Sequence, residues 1–306
     1  PVHGACHYTE SPSNGSERAS RSRASRRYAD GMDFHERIAK IPGWLSKVDH
    51  QILGTILRMQ EDASTSGAIV EIGTHHGKSL VSMLTASGDA ANAYVIDLFG
   101  RQAENLDDSG RGDLERLKSN LTEFGIAEDR VVIDARSSFE VTPGDIVAGV
   151  GRARLFHIDG GHHFEAVAND LQLAIGVLEP NGVLAVDDVF RAEWPEVSMA
   201  VFGSAALSES GLRIFAIGFN KTYWCRSEEA EACQAALLAD EFLGSSVRKT
   251  CLIEESPVLV FKRDPLPEWK PVWLLGYVIE LRYPRVYGAC RRSIRRMRSI
   301  FRRNDG

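Results

Sequence analysis

Ala68-Ile69-Val70-Glu71-Ile72-Gly73-Thr74-His75-His76-Gly77-Lys78-Ser79 joins an apolar run of strand length to a glycine-bearing turn and the start of a helix. A buried strand, glycines that let backbone approach a ligand, and the free N–H groups of a helix start make a βα unit of an open sheet. The same alternation continues downstream. Ala93–Ile96, Arg130–Ile133, Ala153–Ile158 and Val183–Val186 read as strands, with helical spacing between them. Glu165–Leu178 shows an apolar face of Ala166, Val167, Leu171, Ala174, Ile175 and Leu178, and Pro180-Asn181-Gly182 supplies its stop signal. Strands alternating with helices imply a parallel sheet covered on both faces. Arg213–Ile217 and Thr222–Cys225 flank a turn that folds one back on the other as a hairpin, residues 227–242 read as helical, and Val258–Lys262 as a further strand. Upstream, Val48, Ile52, Ile56 and Leu57 set one or two helices between Phe34 and Ala63. The expected fold is α/β: a doubly wound, mostly parallel, seven-stranded sheet with a C-terminal antiparallel hairpin and a helical N-terminal extension.

The loop has a decoy reading. Gly73…Gly77-Lys78-Ser79 resembles a phosphate-binding loop, with Leu184–Asp188 as its acidic partner strand, and an ATPase is the competing function. Such a loop needs four residues between glycine and Gly-Lys-Ser, and here there are three. The dinucleotide pattern GxGxxG is also absent. Glu71 would repel a pyrophosphate but tolerates a zwitterionic amino-acid end, as in S-adenosylmethionine. Asp97 closes the second strand, where an acid accepts the ribose hydroxyls of an adenosine. Thr74, His75, Gly77 and Ser79 complete the cofactor-binding candidates, with His75 and His76 read as facing solvent rather than doing chemistry.

Asp159 closes the fourth strand in Phe156-His157-Ile158-Asp159-Gly160-Gly161-His162-His163, and Asp187 and Asp188 close the fifth. Carboxyl ends of neighbouring central strands converge on one crevice. Three carboxylates there call for a cation, and oxygen-only ligands favour Mg²⁺ or another hard divalent ion.

Ile158-Asp159-Gly160-Gly161-His162, then a helix, then Leu178–Val183 and Asp187-Asp188 resemble the metal-dependent class I methyltransferases. The likeness is to the group with macrolide-sugar and aminocoumarin-sugar O-methyltransferases and cephalosporin-hydroxylase-like proteins, and it covers about residues 66–226. It implies a Rossmann-like class I methyltransferase fold, Asp159, Asp187 and Asp188 as magnesium ligands, and Glu71, Gly73, Asp97 and Asp159 at the cofactor. Ser137 and Ser138 would lie near the adenine. Many sugar methyltransferases of the group carry a general-base aspartate where Gly161 stands; a related subgroup has a histidine three residues after the metal aspartate, the place of His162. His162 is therefore the expected base, with His163 as its alternative. The expected reaction is O-methylation of a sugar or glycosylated small molecule, with a non-methylating, hydroxylase-like relative as a further alternative.

Charge divides the chain. Nine Arg and one Asp lie from Leu281 onward, a local +8, and residues 1–30 carry +2. The overall −6 thus leaves −16 on residues 31–280, which argues against a nucleic-acid-binding main face. Residues 1–30 are Ser- and Arg-rich and read as disordered, residues 31–65 as the N-terminal helices, 66–264 as the cofactor-binding domain, and 265–306 as an aromatic and basic tail. In that tail Cys290, Ile294, Met297 and Phe301 recur at helical spacing among arginines, a basis for contact with an anionic membrane. Five scattered cysteines and no long apolar span point to a reducing cytoplasm, with a homodimer as the base-rate assembly.

Overall fold

The computed structural model describes residues 34–262 other than Asp89 and Asp108, and of His35 only its backbone. The expectations for residues 1–30 and for the basic tail fall outside the described residues. Among these, no helix is long and apolar enough to cross a membrane.

Five strands lie parallel in the spatial order β3-β2-β1-β4-β5: β1 (Ala68–Ile72), β2 (Ala93–Ile96), β3 (Val131–Asp134), β4 (Ala153–Ile158) and β5 (Leu178–Val186). The order reverses between β1 and β4, so a crevice opens past their carboxyl ends. β7 (Thr222–Arg226) inserts antiparallel to β5, and β6 (Leu212–Ile217) pairs with β7, giving the expected hairpin. Beyond the seven strands lie the further strand expected at Val258–Lys262, here β9 (Ser256–Phe261), and one that was not expected, β8 (Val247–Ile253). β9 lies parallel to β6, and β8 forms the outer edge, making nine strands.

Alternation along the strands divides the core. Ile69, Val95, Leu155, Ala185, Tyr223 and Cys225 face one layer with α1 (Phe34–Lys40), α2 (Lys47–Asp62), α3 (Lys78–Ala86), α4 (Leu114–Glu123) and α9 (Ser227–Ala239). Val70, Ile96, Phe156, Leu184 and Trp224 face the other, with α5 (Pro143–Val150), α6 (Phe164–Val177), α7 (Pro195–Gly203) and α8 (Ala205–Glu209). α2 starts at Ser46, whose hydroxyl accepts from Asp49 N at 2.9 Å, and it buries Val48, Ile52, Leu53, Ile56 and Leu57. α6 ends at Val177, ahead of Pro180-Asn181-Gly182, and the chain from Leu178 is already extended. The stop signal therefore sits inside β5. The helical stretch over 195–209 is broken at Ser204, which caps α8 through its hydroxyl. That over 227–242 is broken at Asp240, which caps α10 (Glu241–Ser246).

Candidate active site

The turn after β1 is shaped by crowding. Gly73 has φ +85° and lies so near β4 that a Cβ there would stand 1.8 Å from the Asp159 carbonyl oxygen. No other residue fits. Around this turn buried polar atoms lack partners among the described residues: Glu71 Oε2, Thr74 Oγ1, His75 Nδ1 and His76 Nδ1. Unmet polar atoms are costly inside a protein, so their gathering at one loop marks a place for a polar ligand. Gly77, at φ +83°, caps α3, and Ser79 is buried in that helix's first turn. Asp97 accepts from His75 N and Phe99 N, each at 2.7 Å, and burial raises its pKa. The 98–113 segment crosses above it: a Cβ on Gly112 would meet Asp97 Oδ1 at 2.5 Å.

Ser137 and Ser138, expected near an adenine, stand in the turn after β3. Ser137 forms a capping box with Glu140, and Ser138 hydrogen-bonds to Asp170 in α6. Lys78, which a phosphate loop would aim at its ligand, donates to the Gly43 carbonyl at 3.1 Å.

A buried polar row runs under α2 across four strands. Strand pairing sets Glu71 beside His157, His157 beside Ala185 and Ala185 beside Tyr223, all on one face. His157 Nδ1 lies 2.8 Å from Glu71 Oε1, both side chains fully buried. Burial, and then the nearby Lys221, lower the His157 pKa. The ring is thus neutral, Nδ1–H donates to Glu71, and Nε2 has no partner among the described residues. Beyond it Lys221 donates to Asp187, and its Nζ lies 3.5 Å from Asp159 Oδ2. Lys221 is 1% exposed. Burial would lower its pKa, but Asp159 and Asp187 reverse that and raise it, so the ammonium persists. The Asp159 carboxyl is pushed well above the usual range by lost hydration and by Asp187. Asp49 closes the row from α2, accepting from Tyr223 Oη at 2.9 Å, and burial lifts its pKa to about 6.

The three expected magnesium ligands do not converge. Asp188 has φ +59° and turns to the other side of the crevice. There Oδ2 meets His162 Nε2 at 2.9 Å, while Oδ1 accepts from Asn220 at 2.7 Å and Arg191 at 3.3 Å. One atom each from His157, Asp159 and Asp187 lie within 4.8 Å of one another, a spacing a metal could span. The two carboxylates of that group already share the ammonium of Lys221, and a dication beside it would face like charge from a buried, immobile group. The residues present do not fit the expected Mg²⁺.

His162, the expected base, is held at both ring nitrogens: Nδ1 donates to Asp107 at 2.8 Å and Nε2 to Asp188. Burial works against its charge, but the two carboxylates prevail and lift its pKa to about 9. His162 is therefore an imidazolium at neutral pH, and it takes up a proton only after giving one away. Trp194 stacks on it, ring centres 4.3 Å apart. His163 precedes α6 and stacks on Phe139 instead. Trp224 belongs to the core, its indole N–H donating to Thr222. Between the two clusters lies a small cleft lined by Asp159–His162, Asp187 and Asp188 over a floor of Ile158, Val167, Val186 and Val197.

Residues 70–189, from β1 through both acidic strand ends, match a family described as methyltransferase domain. This segment is similar to a methyltransferase domain. The strand order and the ligand-ready glycine turn agree with that likeness. Solved structures similar to the chain include the O-methyltransferase NovP, at 15% identity over 58% of this chain and 80% of that one, with a TM-score of 0.48. CalS11, a TDP-rhamnose 3′-O-methyltransferase of calicheamicin biosynthesis, is 17% identical over 71% and 97%, with a TM-score of 0.44. TomG from Streptomyces achromogenes, an O-methyltransferase of tomaymycin synthesis in complex with SAM, is 18% identical over 56% and 77%, with a TM-score of 0.41. A search of curated proteins by sequence finds no match.

Three residues of the site escape a linear reading. Lys221 stands in a turn, and strand alternation sets it on the core face with Tyr223 and Cys225. Asp49 sits one residue past Val48 on an apolar helix face. Asp107 lies in a polar loop, and only the folded loop shows that it faces His162.

Proposed function

We propose that this chain transfers the methyl group of S-adenosylmethionine to a hydroxyl of a sugar or other polyhydroxylated small molecule. The observation that carries the cofactor is the set of unpartnered buried polar atoms on the Gly73 turn, Glu71 Oε2 and Thr74 Oγ1 above all. An amino-acid end offers an ammonium to the first, and Asp97 at the tip of β2 suits the ribose. Gly112 packs against the Asp97 carboxylate, so the 98–113 segment has to shift for a ribose to reach it.

The acceptor lies on the Asp188 side. His162, Arg191 and Asn220 offer donors, Asp107 and Asp188 offer acceptors, and Trp194 gives an aromatic wall, a set suited to several hydroxyls at once. Transfer requires the hydroxyl oxygen in line with the sulfonium methyl and water excluded. The products are the methyl ether and S-adenosylhomocysteine. The hydroxyl proton goes to the Asp188 carboxylate and from there to solvent, while His162, already protonated on both ring nitrogens, holds that carboxylate in place. The coordinated-magnesium route is not part of this reading.

Calorimetric titration with S-adenosylhomocysteine, with Mg–ATP in parallel, tests it. Binding of the first alone is expected; binding of ATP alone would replace the methyltransferase reading by the phosphate-loop one. The basic tail supports contact with an anionic surface, and equal co-sedimentation of full-length and tail-truncated chain with anionic vesicles would end that idea.

A further inference from the structure

We propose that Lys221 is a built-in cation that takes the place of a divalent metal between Asp159 and Asp187, completing the strand-end cluster without an ion. This rests on the methyltransferase reading for its meaning, but its geometry stands apart from it. The ammonium bonds to Asp187 and lies 3.5 Å from Asp159 Oδ2, between the two carboxylates that a metal would bridge. Its backbone is fixed on both sides. Gly218 N donates to the Lys221 carbonyl at 2.9 Å, and Thr222 pairs with Val186 of β5. From above, Asp49 and Tyr223 close the cluster, so the lysine has no route to solvent. The third carboxylate that a metal would need, Asp188, is committed to His162 and Asn220.

The substitution changes what the site selects. A chelating metal favours acceptors with two neighbouring oxygens, since both bind it. An ammonium offers only hydrogen bonds, and here these go to protein carboxylates. Lys221 is thus a positioning residue: it holds Asp159, whose side chain is 24% exposed at the cleft, and leaves the acceptor to be recognised by the Asp188 side, one hydroxyl at a time. The expected acceptors include isolated hydroxyls as well as vicinal diols.

The test is Mn²⁺ binding to the full chain, read by loss of the free-ion electron paramagnetic resonance signal. The wild-type protein is expected to leave that signal unchanged at millimolar Mn²⁺, with or without S-adenosylhomocysteine. The neutral, similarly shaped Lys221→Met is expected to bind one Mn²⁺ per chain, and the added Asp187→Asn to abolish that binding. Micromolar Mn²⁺ binding by the wild type, weakened by Asp187→Asn, overturns the proposal. So does a folded Lys221→Met that binds none. Should Lys221→Met fail to fold, the wild-type titration decides alone. S-adenosylhomocysteine titrated into the same samples judges the cofactor reading separately, since neither result depends on the other.

Discussion

Asp170 offers a quantitative handle on the stability of the fold. It is fully buried in α6, accepting from Asn169 Nδ2 at 3.2 Å and bonded to Ser138, while its Oδ2 has no partner among the described residues. Burial pushes its pKa from 3.8 up to about 6. Between these values the folded chain holds a proton that the unfolded chain has released. Stability therefore falls as pH rises through that window and stays lowered above it. Two units of pKa correspond to roughly 3 kcal/mol. Asp170→Asn is neutral throughout, so it escapes this penalty, though an unpartnered amide takes back about 1 kcal/mol. The net expectation is a gain of about 2 kcal/mol at pH 8, or roughly 4–8 °C in Tm for a chain of this size, and no gain at pH 3.5. Thermal unfolding followed by circular dichroism at both pH values measures it. The buried Asp49 titrates in the same window but is present in both proteins, so it cancels. A variant destabilised equally at both pH values would refute the reasoning, because it would mean that the ionised carboxylate has a partner worth keeping.

Further outcomes follow from the crevice itself. Gly73→Ala places a methyl against the Asp159 carbonyl at a left-handed φ, and should lose at least ~2 kcal/mol in urea unfolding along with S-adenosylhomocysteine binding; unchanged binding would remove the turn from the cofactor site. Asp97→Asn should raise the Kd for S-adenosylhomocysteine about 10- to 100-fold, the equivalent of ~1.5–3 kcal/mol for charged hydrogen bonds, as read by calorimetry; an unchanged Kd would assign the ribose elsewhere. Asp107→Asn removes one of the two carboxylates that hold the His162 proton, so its pKa should drop from about 9 toward 6.5 in an NMR titration. A histidine that still titrates near 9 would show that Asp188 suffices alone.

The framework of the fold is written in short-range patterns. Five parallel strands, the hairpin and the face of α6 follow from local runs of β-branched residues and helical spacing, and Gly73 follows from a turn that admits no side chain. β8 went unread because its Arg248-Lys249-Thr250 run is polar on both faces, as an edge strand permits, and carries no hydrophobic alternation. Position in the site was legible; partnership was not. The aspartates at the strand ends could be placed in one crevice, but whether they gather on a metal or divide between Lys221 and His162 depends on contacts 26 to 62 residues apart in sequence. His162 shows the same limit: its reach into the crevice was readable, whereas its proton is held by Asp107, which approaches from a loop 55 residues upstream.

The polar outer strand also bears on how copies of the chain can meet. Among the described residues β8 carries one row of unpaired backbone groups, the kind of border onto which a second sheet could grow. Arg248 and Lys249 stand exposed along it, and a like strand from another copy would bring these cations face to face. Continuous sheets across two molecules are thereby discouraged at this border, which leaves the opposite edge at β3, the helices and the loops for any self-association.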